Sequence, residues 1–175
     1  MTLDLGGHKL TYTGSSAIFM DVEKWSNRTY TLTVKNGTIS VGGKVTAIRV
    51  SNGGTGEIKN ANFENLTVTN TATDTEFPTH LVELNKTTVD MKGVCLSGKA
   101  KDIFSIGSGT TLTAVNTTVS NAIIPKDDGT IDRAAIQVYG NNTVTMTNCL
   151  VESVYTGIRF DKGEDATKNT FLFKN

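Results

Sequence analysis

An all-β fold of stacked repeats is what this sequence predicts, on three observations. A short phrase recurs along the chain, its residues alternate with the period of a strand, and each copy breaks at an Asn or a Gly. The phrase reads "LDLGGHKLTY" from Leu3, "TLTVKNGTIS" from Thr31, "VDMKGVCLSG" from Val89, "LTAVNTTVSN" from Leu112 and "VTMTNCLVES" from Val144. Aligned on the break, the turn positions are Gly7, Asn36, Asn65, Gly93, Asn116, Asn148 and Asn175, spaced 29, 29, 28, 23, 32 and 27 residues apart. Repeats of that length belong to an array or solenoid rather than to a globule with one centre.

Each repeat carries three strand-like pieces. The first precedes the turn and is apolar at both ends: Leu3-Asp4-Leu5, Leu32-Thr33-Val34, Ala61-Asn62-Phe63, Val89-Asp90-Met91, Leu112-Thr113-Ala114 and Val144-Thr145-Met146. Period two puts those ends inside and the centre outside. The second piece contributes an apolar residue three positions after each turn: Leu10, Ile39, Val68, Leu96, Val119 and Val151. The third follows a loop of variable length and reads Ile18-Phe19-Met20, Ile48-Arg49-Val50, Val82-Glu83-Leu84, Phe104-Ser105-Ile106, Ile136-Gln137-Val138 and Ile158-Arg159-Phe160. Three strands per repeat, always in the same order, let each pair in parallel with its counterpart one layer up. The expected architecture is a parallel β-helix of about six coils with an Asn-rich tight turn. In that turn, Asn tolerates left-handed backbone and can hydrogen-bond to the Asn above and below it. A leucine-rich repeat fits less well, because the Asn comes one residue early and the third strand recurs in every repeat.

The bulk numbers agree. A chain of 175 residues with net charge zero and 37% hydrophobic content suits one ordered domain over 1–175. Seventeen Gly, two Pro and 29 Thr favour short strands and turns over helices. The absence of a Lys/Arg cluster speaks against nucleic acid as a partner, and no apolar run is long enough to insert in a membrane. A strand pattern starts within three residues of Met1 and another is cut at Asn175, so the chain reads as an excised or mature part of a longer protein. Cys95 and Cys149 fall two repeats apart at different offsets from their turns, roughly 9 Å or more at strand spacing, and are expected to stay unpaired.

With its repeats in place, "TLDLGGHKLTYTG" resembles the "DLNGHTL" phrase of bacterial secreted and surface proteins with a right-handed parallel β-helix of pectate-lyase-like architecture. The resemblance covers essentially the whole chain. It implies a right-handed helix, secretion or display at the cell surface, and, where such proteins are enzymes, substrate along the outer face of the strand that follows the most variable loop. Here that is the third strand.

The outward residues of that strand, read up the stack, are Phe19, Arg49, Glu83, Ser105, Gln137 and Arg159, followed two positions later by Asp21, Ser51, Asn85, Gly107, Tyr139 and Asp161. Long loops precede the Glu83 and Gln137 strands ("NTATDTEFPT" and "NAIIPKDDGTIDRA"), and the short "GKAKD" precedes Ser105, so two walls are expected to flank a low floor. Amide, carboxylate and aromatic groups around such a trough suit carbohydrate hydroxyls. The candidate glycan-binding residues are Arg49, Glu83, Asn85, Gln137, Tyr139, Arg159 and Asp161.

No catalytic set assembles. Glycoside hydrolysis needs two facing carboxylates roughly 5 to 9.5 Å apart, and Glu83 sits two layers, about 10 Å, from the loop acids Asp127, Asp128 and Asp132, a conceivable pair but not a convincing one. The polygalacturonase-like and pectate-lyase-like signatures that the resemblance would bring are missing. His8 and His80 stand apart from any second ligand and read as turn or surface residues. "DKGEDATKN" from Asp161 has acids enough to attract Ca²⁺ but not calcium-loop spacing, and no cofactor is expected. Trp25 reads as a sugar platform or an apolar plug, the N-x-T triplets as turn grammar, and Asn142 as an outer-loop residue. The reading is a non-catalytic extracellular module for adhesion or glycan binding, or a rigid surface stalk, with a polysaccharide or cell-surface glycan as partner. A polysaccharide lyase or glycoside hydrolase acting on an acidic polysaccharide is the second reading.

Overall fold

The structure, a computed structural model, describes residues 1–23, 30–51, 58–73, 75–122, 133–153, 155–161 and 170–175. Among these residues every regular element is a strand. The first five are β1 (Thr2–Asp4), β2 (Lys9–Tyr12), β3 (Ile18–Glu23), β4 (Tyr30–Val41) and β5 (Thr46–Ser51). Next come β6 (Ile58–Asn70), β7 (His80–Asn85), β8 (Thr88–Lys92), β9 (Cys95–Gly98), β10 (Asp102–Ile106) and β11 (Thr111–Val115). The last six are β12 (Thr118–Asn121), β13 (Ala134–Tyr139), β14 (Thr143–Thr147), β15 (Leu150–Ser153), β16 (Thr156–Asp161) and β17 (Thr170–Lys174).

They form two sheets in which every pairing is parallel. The six-stranded sheet runs β16-β13-β10-β7-β5-β3 and collects the third strand of each repeat. The eleven-stranded sheet collects the first and second strands, in the order β15-β12-β9-β6-β8-β11-β14-β17, with β4 joining β1 and β2 to β6. It stays one sheet because β4 and β6 run straight through their turns at Asn36 and Asn65, whereas in later repeats the turn divides the two pieces.

Equivalent residues pair in register. Leu32, Ala61, Val89, Leu112 and Val144 form one buried row, and Val34, Phe63, Met91, Ala114 and Met146 the next. Ile39, Val68, Leu96 and Val119 stack on the far side of the turn, and the six-stranded sheet adds Ile48, Val82, Phe104 and Ile136. All belong to one continuous apolar cluster. β-branched residues suit these short, half-buried strands.

The first repeat departs from the expected register. Met20, not Ile18, pairs with Ile48, and Asp21, not Phe19, pairs with Arg49. Likewise Leu3 pairs with Val34 rather than Leu32, and Gly6 (φ 57°) and Gly7 (φ 83°) take up the slack before β2. The reason is degeneracy: a strand of period two fits equally well after a slip of two residues. What tells the registers apart is the fork between Asp21 and Arg49, which joins Nε to Oδ1 at 3.0 Å and Nη2 to Oδ2 at 2.5 Å. Displaced from the outer row, Phe19 packs on Tyr12 with ring centroids 5.0 Å apart.

The turns have the expected backbone but a different side-chain logic. Asn36, Asn65, Asn116 and Asn148 lie at φ 57°, 48°, 51° and 51°, and Gly93 at 63°. The amide ladder itself runs only from Asp4 to Asn65: Asn36 Nδ2 donates to Asp4 Oδ1 at 3.2 Å, and Asn65 Nδ2 to Asn36 Oδ1 at 3.5 Å. At Asn116 and Asn148 the rung is a backbone bond, from Asn116 N to the Thr147 carbonyl and from Asn148 N to the Lys174 carbonyl, both 3.0 Å, and the side chains are exposed. There the residue is used for its tolerance of left-handed backbone.

Two other corners carry the buried amides. Asn142, expected on an outer loop, is buried: its Oδ1 accepts from Thr110 N at 2.9 Å and its Nδ2 donates to the Tyr139 carbonyl. Asn121 Nδ2 donates to the carbonyls of Ala100 and Ala134, each at 2.9 Å. Cys95 and Cys149 are free and half-buried.

Two stability outcomes are expected. Ile48→Asp places an unpaired charge among buried rows and should cost roughly 3 kcal/mol or more, whereas Arg49→Ala loses a partly exposed ion pair and should cost less than about 1 kcal/mol. Similar melting losses for the two would refute the inward assignment. Asn116→Gly keeps left-handed backbone accessible and should shift stability by under about 1 kcal/mol, while Asn142→Ala strands the buried Thr110 N–H and the partly buried Tyr139 carbonyl and should cost about 2 kcal/mol. Urea titration separates them; a larger loss at Asn116 would restore the ladder as the main device.

Candidate functional site

The outer face of the six-stranded sheet begins with an irregularity. In β5, β7, β10 and β13 two consecutive residues point inward: Ala47 with Ile48, Leu81 with Val82, Ile103 with Phe104 and Ala135 with Ile136 are all buried. Strict alternation is broken there, so His80 and Glu83 reach the same outer face although they are three positions apart. Above the break the rows are regular. One reads Asp21, Arg49, Glu83, Ser105, Gln137, Arg159, and two residues further on Ser51 pairs with Asn85 and Tyr139 with Asp161.

Across β7, β10 and β13 lies a concavity of about 370 Å³. Ser105, Gly107 and Ser108 line its middle, His80, Glu83, Asn85 and Lys86 one side and Tyr139 the other. Small residues make the depth. A Cβ on Gly107 would lie 2.9 Å from the Leu84 carbonyl oxygen and 3.1 Å from the Asn85 side chain, so only glycine fits where the chain leaves the floor.

The candidate residues therefore separate into groups. Glu83, Asn85 and Tyr139 line the concavity. Arg49 lies one strand below it, paired with Asp21. Gln137 is 1% exposed, and its Nε2 donates to Asp161 Oδ2. Arg159 donates from Nε to the same Asp161 oxygen at 3.1 Å, and from Nη2 to Asp102 Oδ2 at 3.4 Å. Gln137, Arg159 and Asp161 thus form an internal network rather than a lining.

At the centre of that network is Asp102, whose side chain is fully buried. Its Oδ1 accepts from Ala134 N at 3.1 Å, and its Oδ2 stands 3.6 Å from His80 Nδ1. His80 is therefore no isolated surface residue: it faces a buried carboxylate on one side and the concavity on the other. Sequence reasoning missed both. Period two places Asp102 inward with Phe104, and only the double-inward break reverses that. The available signal was the polar pair itself, since His80 and Asp102 occupy the same position in adjacent repeats.

Electrostatics follow burial. Removal from water, reinforced by Lys101 and Arg159, holds the His80 imidazole down to about 4, so it is neutral at pH 7. Asp102 at 3.6 Å favours the protonated ring, but that carboxylate is already met by Arg159, and desolvation with two nearby cations prevails. Burial raises Glu83, with Arg49 opposing and Asp21 adding to the shift. Burial also raises the Tyr139 phenol, helped by Asp161 and Asp102, so it stays protonated.

The Arg133 guanidinium lies 5.2 Å over the Phe77 ring, linking the residue that leads into β13 to the segment that precedes β7. Asp127, Asp128 and Asp132, Trp25 and the loop after Asp161 lie outside the described residues. Among the described residues no group of three or more His, Cys, Asp or Glu is placed to hold a metal ion, and Glu83 is the carboxylate that lines the concavity. Comparison of the chain with protein-family models, curated proteins and solved structures returns no match in any of the three. The site has to be read from its own chemistry.

The His80 environment has a measurable sign. A histidine whose folded-state pKa lies below its unfolded value stabilises the fold fully above about pH 6.5, and that stability drains as pH falls toward 4. The loss should reach about 3 kcal/mol at the acid end, taking 1.36 kcal/mol per pKa unit. His80→Gln should remove this part of the pH dependence; wild type and variant losing stability in parallel from pH 6.5 to 4 would show the ring is not buried neutral.

Proposed function

We propose that the two parallel sheets are faces of a right-handed parallel β-helix of about six coils, and that the concavity on its third-strand face is a glycan-binding groove. The module would act in adhesion or glycan recognition by a secreted or cell-surface protein. One observation carries this reading: carboxylate, amide, hydroxyls and phenol converge from three adjacent strands around a floor of small residues. Hydroxyl-rich ligands are held by such sets of donors and acceptors beside an aromatic face. Tyr139, partly buried at the edge of the concavity, offers the aromatic face that a stacking platform requires.

A single observation favours a catalytic second reading, a glycoside hydrolase or polysaccharide lyase. Glu83 is shifted up and His80 down in one concavity, and paired groups with diverging pKa values are how acid and base roles are divided. Against it, the described residues that line the groove include one carboxylate where sugar hydrolysis ordinarily uses two.

A glycan array and a polysaccharide-degradation assay on one preparation separate the readings. Binding without new reducing ends or unsaturated products supports recognition; product formation that stops in His80→Gln supports catalysis. For whichever glycan is retained, Tyr139→Ala should weaken binding about tenfold, or roughly 1.4 kcal/mol, and the paired change Thr33→Ala with Thr145→Ala on the other sheet should leave it unaltered. Loss of binding from the Thr33 and Thr145 change alone would place the ligand on the wrong sheet for this proposal.

A further inference from the structure

The two arginines that could neutralise an acidic sugar are both taken by carboxylates of the chain. Arg49 is forked onto Asp21 through Nε and Nη2. Arg159, with its side chain 15% exposed, is divided between Asp161 and Asp102. Gln137, the other polar group of that layer, is 1% exposed and committed to Asp161. A sugar carboxylate entering the groove would have to break a fork or a buried network to gain a cation, leaving the abandoned carboxylate without its partner.

It would also meet Glu83. This side chain lines the groove beside Asn85, and water is already partly excluded from it, so its carboxyl is shifted upward. A second anion at contact distance in such a site is repelled far more strongly than in bulk water. Two lysines remain near the groove. Lys86 is exposed at the rim and Lys101 acts on the His80 side; each already takes part in other interactions within the chain. His80 contributes no charge at neutral pH.

We propose that the groove selects neutral glycans and that Glu83 is the residue that turns anionic ones away; this rests on the glycan-binding reading above. For a neutral sugar the same residues work in its favour. Glu83 and Asn85 project from one face of β7 about 7 Å apart, a carboxylate acceptor and an amide that can both donate and accept, so they can engage hydroxyls on successive carbons or successive rings. Tyr139, held protonated, closes the opposite side as a donor.

The test uses matched pairs: soluble glucan, galactan and mannan, each beside its C6-oxidised uronate derivative, compared by affinity electrophoresis of the 175-residue chain at pH 7. The expected result is retention by at least one neutral glycan and at least tenfold weaker retention by its oxidised partner, with Glu83→Gln narrowing the gap to threefold or less. Equal or stronger retention by the oxidised form overturns the selectivity while leaving glycan binding intact, and so does a gap that Glu83→Gln leaves unchanged. If the oxidised form is preferred and Lys86→Gln abolishes that preference, the groove is an anion site with Lys86 as its cation. No retention by any pair overturns the glycan-binding reading and the selectivity together.

Discussion

Everything in this molecule depends on parallel backbone hydrogen bonds made in register between equivalent residues of successive repeats. A strand of four to six residues has almost no stability of its own. Here each strand inside the stack is held on both edges by its counterparts, and the end strands on one, so buried rows such as Val50, Leu84, Ile106 and Val138 become continuous columns of apolar contact. The same register that stacks apolar residues inside stacks polar ones outside. The groove is a by-product of that: Glu83, Ser105 and Gln137 stand in one row because Val82, Phe104 and Ile136 stand in the row beneath.

Register needs corners that do not slip. Parallel pairing leaves backbone groups at each bend without a strand partner, and buried ones must be satisfied. Asn121 and Asn142 answer this with amides that bridge layers, while the exposed Asn turns answer it with left-handed backbone. The third corner is the double-inward step at the start of β5, β7, β10 and β13, and it has a chemical result as well as a geometric one. It turns His80 and Asp102 away from the apolar rows, His80 into the groove lining and Asp102 buried beside it, where the carboxylate can anchor Arg159.

Much of the fold was legible because the repeat samples each position five or six times. From the second to the fifth repeat, the residues the alternation pattern names as inward are all buried, but the pattern misses Ala47, Leu81, Ile103 and Ala135, and in the last repeat Phe160, expected inward, is exposed because no further layer covers it among the described residues. The first repeat was misread by two residues, since period two cannot detect that slip and the deciding contact, Asp21 with Arg49, joins residues of different repeats. The site was legible in part for the same reason. Glu83, Asn85 and Tyr139 fall where simple alternation puts them, whereas Gln137 and Arg159 have the right orientation but the wrong environment, because Asp102 and Asp161 claim them first. Nothing in strict alternation turns Asp102 toward His80 and Arg159, where it stays buried, and Asn142 looks like any loop amide until its two backbone partners are seen.

The dependence on neighbouring layers alone also shapes how such a gene can change. Unequal recombination that adds or drops a whole repeat leaves every remaining strand with an equivalent partner, so it is a milder event than a one-residue insertion inside a strand, which would invert a face. Growth by whole repeats is tolerated differently along the length. Between β3 and β5 it would merely lengthen the molecule, but between β7 and β13 it would separate Glu83 from Tyr139 by another layer of about 4.8 Å. The stretch from His80 to Tyr139 is therefore the part of the gene in which copy number and the width of the concavity are the same variable.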